Sequence, residues 1–220
     1  MPADYFASMI EQFSQSGFGR QELDGEMVEA SEGALWNRAL IENCRESAPS
    51  AALTRIVIGV DPPASAKGDA CGIVVCAMGE DAIARVLADM SVERASPERW
   101  ARAVARAAEY WSADRVIAEA NQGGAMVRSV LMAADVTLPL TLVRASRGKV
   151  ARAEPVATLY ARGRVRHCGR FVALEDEMCG LVAGGGYQGP GRSPDRADAL
   201  VWAVSELMLR SQGKAGVRGL

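Results

Sequence analysis

The feature that most constrains the fold is a β-branched apolar run, RIVIGV at residues 55–60, which ends in Asp61 and two prolines. Proline cannot donate to a sheet ladder, so a strand must stop at this point. Two further apolar runs follow at 72–78 and 82–90, after short connections that contain glycine. Such connections favour antiparallel strands, because a parallel pair needs a crossover of a dozen or more residues. The sequence therefore predicts a sheet that begins with a three-stranded antiparallel meander.

The rest of the chain alternates between helical and strand periodicity. Ser96 is a good N-cap, Pro97 suits the first helical position and Glu98 lies in the first turn, so a helix is predicted to begin there. The later predicted elements are strands at 115–118 and 138–143 and helices at 124–134 and at about 150–162, 171–182 and 194–210. This order predicts an α/β fold with a mixed sheet and helices on both faces.

Composition excludes several classes of function. No apolar run approaches the roughly 18 residues of a membrane span, and the N-terminus lacks the basic region of a secretory signal. The five cysteines form no Cys-x-x-Cys pair, which is typical of reduced thiols in the cytoplasm. With His167 as the single histidine, a zinc site built from several imidazoles is excluded. Carboxylates are plentiful, so a bound metal should be a hard cation.

Charge and composition predict the domain organisation. Residues 1–50 contain nine acidic and three basic residues, and a small, polar stretch at about 46–54 precedes the first strand. We therefore expect an acidic N-terminal linker segment at 1–50, a single domain at 51–210 and a flexible tail at 211–220.

The most basic part of the chain is the stretch 144–170, with eight basic residues and one acidic residue. A polyanion is a natural partner for such a stretch, although a solvated helix face is an open alternative. The candidates for contact with DNA phosphates are Arg144, Arg147, Lys149 and Arg152.

Four carboxylates occur where a strand ends or a helix begins. Asp61 follows the first strand and Glu119 the fourth, so both would reach one crevice if these strands are parallel neighbours. Asp195 and Asp198 open the last helix and lie on the same side of it. Carboxylates held close together need a cation, and two Mg²⁺ or Mn²⁺ ions would also clamp a phosphodiester for attack by water. Ordinary roles as turn, strand-end and capping residues are the alternative.

Four sequence blocks carry a resemblance to a known family. In order between about residues 55 and 209 they are GVDPPASAKGDACGIVV, VIAEANQGGAMV, RGKVARAEPVATLYARGRVRH and SPDRADALVWAVSEL. Together they resemble the nuclease domain of phage-type large terminase subunits, the DNA-packaging proteins of tailed phages and gene transfer agents. Residues 21–42 also resemble the segment by which such proteins leave their ATPase domain.

The resemblance implies an RNase H-like (RuvC-like) fold and metal-dependent endonuclease cleavage of double-stranded DNA during genome packaging. It assigns the catalytic positions to Asp61, Glu119 and Asp198, with Asp195 as a further metal ligand. It also implies the packaging ATPase domain, the small terminase subunit and the portal protein as partners, in the cytoplasm of a bacterial host cell. The chain contains no G-x-x-x-x-G-K-[ST] loop, so ATPase activity is not expected of it.

Other functions and roles are left open by the residues. A Holliday-junction resolvase would share the fold and the acidic residues, and a non-catalytic docking module would bind DNA or the portal without cutting. Trp202 has the spacing of a core residue, and His167 is expected to be a plain surface or strand histidine, with contact to a phosphate as the alternative. The glycine-rich stretch 184–191 fits either a loop over the site or a simple connection.

Overall fold

The structure is a computed structural model that describes residues 33–63, 70–121, 123–184 and 186–210. Its elements are α1 (Arg38–Asn43), β1 (Leu53–Asp61), β2 (Ala70–Gly79), β3 (Ala84–Asp89), β4 (Val92–Glu93), α2 (Pro97–Tyr110), β5 (Arg115–Glu119), α3 (Gly124–Ala134), β6 (Leu140–Val143), α4 (Lys149–Ala161), β7 (Val165–His167), α5 (Val172–Cys179) and α6 (Asp195–Met208). None of the helices in these ranges has the length and apolar character to cross a membrane.

The strands form a seven-stranded mixed sheet in the order β6-β5-β1-β2-β3-β7, with β4 paired to β2. The first three strands pair antiparallel in sequence, which confirms the predicted meander. β5 lies parallel to β1, β6 parallel to β5, and β7 parallel to β3. The two short strands β4 and β7 were not predicted. They contain two and three residues, too few to show a periodicity of their own.

Helices cover both faces of the sheet, as predicted. On one face, α2 and α3 pack against the strands through an apolar cluster that includes Trp100, Val104 and Leu131. Ser96 caps α2 and Pro97 opens it, as its sequence signals predicted. On the other face, α6 packs across the centre of the sheet, and its apolar residues join those of α1, α4 and α5 in a second cluster.

Two glycines allow α6 to lie directly on the sheet. A Cβ atom at Gly59 of β1 would lie 1.9 Å from the carbonyl oxygen of Ala199, and one at Gly72 of β2 would lie 2.0 Å from that of Asp195. Both are far inside van der Waals contact with backbone atoms. Glycine is therefore required at both positions for this close approach. The first turn of α6 is thereby brought to the end of β1.

The described part of the N-terminal segment packs on this domain. Trp36 and Ile41 are buried in the same apolar cluster as α6. Arg45 forms ion pairs with Glu175 of α5, and Glu46 pairs with the fully buried Arg85. The segment from 33 to 46 is thus held by both packing and charge. The domain limits at 1–50, 51–210 and 211–220 stay predictions, since residues 1–32 and 211–220 lie outside the described part of the chain.

Candidate metal centre

The carboxyl ends of β1 and β5 lie side by side at one edge of the sheet. Asp61 is the last residue of β1 and Glu119 the last of β5, and the two strands are parallel neighbours. The first turn of α6 contributes Asp195 and Asp198, which are both buried. We call these four residues the acidic cluster. The parallel pairing on which the sequence argument depended is therefore present.

Lys149, the first residue of α4, lies among three of the four carboxylates. Its Nζ is 3.4 Å from Asp61 Oδ2 and 3.8 Å from Asp195 Oδ1, and it forms an ion pair with Asp198 Oδ2. The ammonium group also donates a hydrogen bond of 2.8 Å to Ser193 Oγ. A single cation thus lies where three acidic residues converge.

Arg152, one turn further along α4, links the fourth carboxylate, Glu119, to Asp198. Its Nη2 is 3.1 Å from Glu119 Oε2 and 3.0 Å from Asp198 Oδ1. Its guanidinium lies over the ring of Trp202, with 4.9 Å between Cζ and the ring centroid. The Arg152 side chain is only 10% exposed, so it is part of the site and not a solvated surface group.

Glu119 is oriented by two further donors. Trp202 Nε1 donates a hydrogen bond of 2.6 Å to Oε2, and the amide of Asn121 donates to Oε1. Asn121 is itself fixed, because its Oδ1 accepts the Ala145 N–H at 2.7 Å. Both oxygens of Glu119 therefore have defined directions before any ligand binds.

Burial and mutual repulsion perturb the acidic cluster. Burial raises the pKa of Asp61 well above its ordinary range; Lys149 opposes this rise, and the other three carboxylates add to it. Burial likewise raises the pKa of Asp198, against Lys149 and Arg152. Burial on its own would lower the pKa of Lys149, but the surrounding carboxylates outweigh it and the pKa is raised. The site therefore favours additional positive charge.

The cluster fits a hard divalent cation in its chemistry and charge. Carboxylate oxygens are the ligands that Mg²⁺ and Mn²⁺ prefer, and the ammonium of Lys149 marks a position where a cation is stabilised. Among the described residues, no three histidine, cysteine or carboxylate side chains are grouped closely enough to form a ready-made metal site. Lys149 and Arg152 lie between the carboxylates and are the groups with which a metal would compete.

The structure divides the four basic residues suggested for DNA contact into two pairs. Lys149 and Arg152 pair with the acidic cluster, whereas Arg144 and Arg147 are exposed in the connection between β6 and α4. The remaining basic residues of the stretch follow the far end of α4, a helix of 13 residues and therefore about 20 Å long. The stretch 144–170 is thus two separate surfaces and not a single patch.

Three side chains at the site were not suggested by the sequence. Trp202 packs against the core, as expected, but also donates to Glu119. This role could have been inferred from the sequence, because Trp202 lies four residues after Asp198 and therefore on the same side of the helix. Asn121 and Ser193 carry no comparable signal, because each is a short polar residue in a connection.

His167 lies in a strand, which was one of the two predicted positions, but it is fully buried and not at the surface. Its Nε2 is 2.7 Å from the Tyr160 hydroxyl and its Nδ1 is 3.1 Å from Glu175 Oε1. No contact joins it to the acidic cluster in the described residues. Its environment is a buried polar network that also holds Arg45.

A cavity of about 550 Å³ opens beside Lys149. The start of α4 forms one wall, and Leu181, Tyr187 and Pro194 contribute to the others. Tyr187 pairs with Leu181 in an isolated antiparallel bridge. The described part of the glycine-rich stretch therefore lines a cavity that Lys149 also borders.

The order and direction of the strands, the helices on both faces and the carboxylates at one sheet edge define the RNase H-like class of fold. The family model described as the terminase RNaseH-like domain matches residues 58–207, which is more than half of the chain. The chain belongs to this family, and its resemblance to the nuclease domain of large terminase subunits is confirmed. No curated protein sequence matched the chain.

Solved structures of terminases share this fold. The large terminase nuclease of the thermophilic phage G20c, with bound cobalt, aligns with a TM-score of 0.53 and 18% identity over 69% of this chain and 81% of its own. The HK97 bacteriophage large terminase aligns with a TM-score of 0.58 and 16% identity over 78% of this chain, which corresponds to 43% of the HK97 chain. The human cytomegalovirus terminase nuclease domain, soaked with manganese and with an inhibitor bound, aligns with a TM-score of 0.57 and 13% identity over 79% of this chain and 95% of its own.

Proposed function

We propose that this chain is a Mg²⁺- or Mn²⁺-dependent endonuclease that cuts double-stranded DNA during genome packaging. The observation that carries the proposal is the convergence of four carboxylates from β1, β5 and α6 at one sheet edge, in a member of the terminase RNase H-like family. The metals named for the similar terminase nucleases, cobalt and manganese, support a divalent cation.

In this proposal the acidic cluster holds two metal ions, with Asp61, Glu119 and Asp198 as catalytic ligands and Asp195 as an additional one. When bound, the ions would activate a water molecule and stabilise the charge that develops on the scissile phosphate. The protein's own contribution is to orient the carboxylates. Glu119 is fixed by Trp202 and Asn121, and Asp195 Oδ2 accepts the Ala70 N–H at 3.2 Å.

Contact with DNA is proposed for Arg144 and Arg147, which are exposed in the connection that precedes α4. Lys149 and Arg152 would supply positive charge inside the site, next to the phosphate that is cut. The wider partners are proposals from the family: the packaging ATPase domain, the small terminase subunit and the portal protein, within a bacterial host cell.

The proposal is tested by digestion of a supercoiled plasmid with Mg²⁺ or Mn²⁺, with EDTA as the metal-free control. Asp61→Asn and Asp198→Asn should each reduce cleavage to below a few per cent of wild type at saturating metal, because each removes a negative ligand at nearly constant size. Glu109→Gln, a change of an exposed glutamate on α2, should cut like the wild type.

Substantial cleavage by both aspartate variants would contradict the metal assignment. Cleavage of four-way junctions but not of linear duplex would indicate a resolvase. DNA binding without cutting under every metal condition would indicate a docking module.

A further inference from the structure

The first turn of α6 is fastened by a residue outside its own helix. Pro194, at its N-cap, makes no side-chain capping bond. Instead, Glu177 Oε2 on α5 accepts hydrogen bonds from the backbone N–H groups of Arg196, at 2.7 Å, and Ala197, at 3.1 Å. Such N–H groups have no partner within a helix. Glu177 therefore caps the helix that carries half of the acidic cluster.

Arg196 ties the same turn to two strands as well. Its Nη1 is 3.0 Å from Glu177 Oε1, its Nη2 is 2.9 Å from Glu93 Oε1, and its Nε is 3.3 Å from Asp89 Oδ2. Asp89 ends β3 and Glu93 belongs to β4. Because the guanidinium is a rigid planar fork, the three ion pairs together fix the direction of the side chain and of the turn that bears it.

Arg196 follows Asp195 directly and precedes Asp198 by two residues, so a rotation of this turn would displace both carboxylates. We propose that Glu177 and Arg196 are positioning residues, which hold the first turn of α6 in the orientation that lets Asp195 and Asp198 bind a divalent metal. The inference rests on the proposed metal-dependent function. Neither side chain touches the acidic cluster, so their effect is exerted through the helix backbone.

The same helix provides a matched control at its other end. Glu206 is also a buried glutamate, and its carboxylate accepts hydrogen bonds from Arg55 at 2.8 Å, Arg115 at 2.7 Å and Arg210 at 2.8 Å. It lies eight residues after Asp198, about 12 Å along the axis. Glu206→Gln therefore removes a comparable set of ion pairs from α6 without loosening its first turn.

The test measures the affinity of the full chain for Mn²⁺ by isothermal titration calorimetry, together with plasmid cleavage and thermal unfolding. Titration at pH 8 keeps Glu177 ionised, because burial raises its pKa to about 7 against the effect of Arg196. We expect Glu177→Gln to weaken Mn²⁺ binding about 10-fold, with most of the cleavage rate restored at saturating Mn²⁺. Glu206→Gln should change the affinity less than about twofold, although it too lowers the unfolding temperature.

Equal Mn²⁺ affinities for the two glutamate variants would overturn the positioning role. If Glu177→Gln does not fold, Arg196→Lys replaces it, because the ammonium of lysine lacks the rigid planar fork that fixes the direction of the Arg196 side chain. An unchanged affinity in that variant overturns the inference equally. A wild-type chain that binds no Mn²⁺ and cuts no DNA would instead contradict the proposed function itself.

Discussion

Glu119 shows how a strand-end carboxylate becomes part of a preorganised site. Three side chains bind it: Arg152 and Trp202 at Oε2, and Asn121 at Oε1. The indole N–H is a donor that cannot also accept, so it constrains the direction of the carboxylate without competing for a cation. Mutation of residues that orient metal ligands in this way typically weakens metal binding by about 10- to 100-fold.

Trp202→Phe should therefore weaken metal binding and cleavage. Phenylalanine keeps an aromatic ring beneath Arg152 but removes the hydrogen bond of 2.6 Å to Glu119. We expect the Mn²⁺ dissociation constant to rise about 10-fold, as measured by calorimetry. Trp111→Phe, at a half-buried tryptophan outside the site, is the control and should leave the affinity unchanged.

Glu175 allows a second prediction, which concerns how the stability of the folded state depends on pH. Burial on its own raises the pKa of Glu175, but His167 and Arg45 outweigh it and lower the pKa to about 2, from an ordinary value of 4.5. A depressed carboxyl pKa stabilises the folded state above the unfolded value, and this contribution is lost as the pH falls from about 4.5 towards 2. At neutral pH it is on the order of 3 kcal/mol.

Glu175→Gln should accordingly lower the free energy of unfolding at pH 7, and the difference from wild type should shrink as the pH falls from 4.5 to 2. Urea denaturation across this range measures both effects. A constant difference at all pH values would show that the loss comes from packing and not from charge. The exposed Glu109→Gln is the appropriate reference.

At the scale of elements, α6 is the helix on which the site depends. It crosses the centre of the sheet, where Gly59 and Gly72 remove the side chains that would hold it away. Its apolar residues join the core, and its first turn is capped by Glu177. At these two glycines the backbone of α6 therefore packs directly on the backbone of the strands, with no side chain between them.

Gly59→Ala should destabilise the fold by about 3 kcal/mol or more, because its Cβ would meet a backbone carbonyl that cannot rotate away. Gly148→Ala is the matched control, since a Cβ at that position meets nothing within 4 Å and its φ of −59° suits alanine. Chemical denaturation of the two variants measures their free energies of unfolding and tests this prediction. Similar midpoints would mean that α6 can shift on the sheet at little cost.

At the scale of the whole molecule, charge is distributed unevenly around a nearly neutral chain with 27 acidic and 25 basic residues. Binding of a polyanion must therefore depend on local basic groups. Arg144 and Arg147 lie in the connection that leads into the start of α4, whereas Arg162, Arg164 and Arg166 follow its far end. We therefore expect the two groups of arginines to contribute differently to DNA binding.

Arg144→Ala with Arg147→Ala should weaken DNA binding and reduce the slope of log affinity against log salt by about 1 to 2, because each phosphate contact contributes about 0.9. Arg162→Ala with Arg164→Ala should leave the slope unchanged. Fluorescence anisotropy with a short duplex in Ca²⁺, at several salt concentrations, compares the pairs. The reverse pattern would place the DNA at the far end of α4.

Local signals predicted most of the elements and the types of the site residues. The meander, the cap of α2 and the bounds of α3 follow from periodicity, proline and capping chemistry within a few neighbouring residues. β4 and β7 could not be predicted, because strands of two and three residues are stabilised by their sheet partners and not by their own pattern. The burial of His167 could not be predicted from its neighbours in sequence either, because its partners Tyr160 and Glu175 come from two helices.

The sequence by itself determined the class of the protein and predicted the carboxylates on which the proposed chemistry depends, since strand ends, helix starts and the family resemblance are local or ordered along the chain. Only the tertiary structure decided how those carboxylates are held. Lys149 lies 49 residues before Asp198 yet pairs with it, Trp202 reaches Glu119 from another element, and Glu177 caps a helix that begins 18 residues later. The physical reason is that burial, ion pairing and capping depend on distances in space, which the packing of α6 on Gly59 and Gly72 sets.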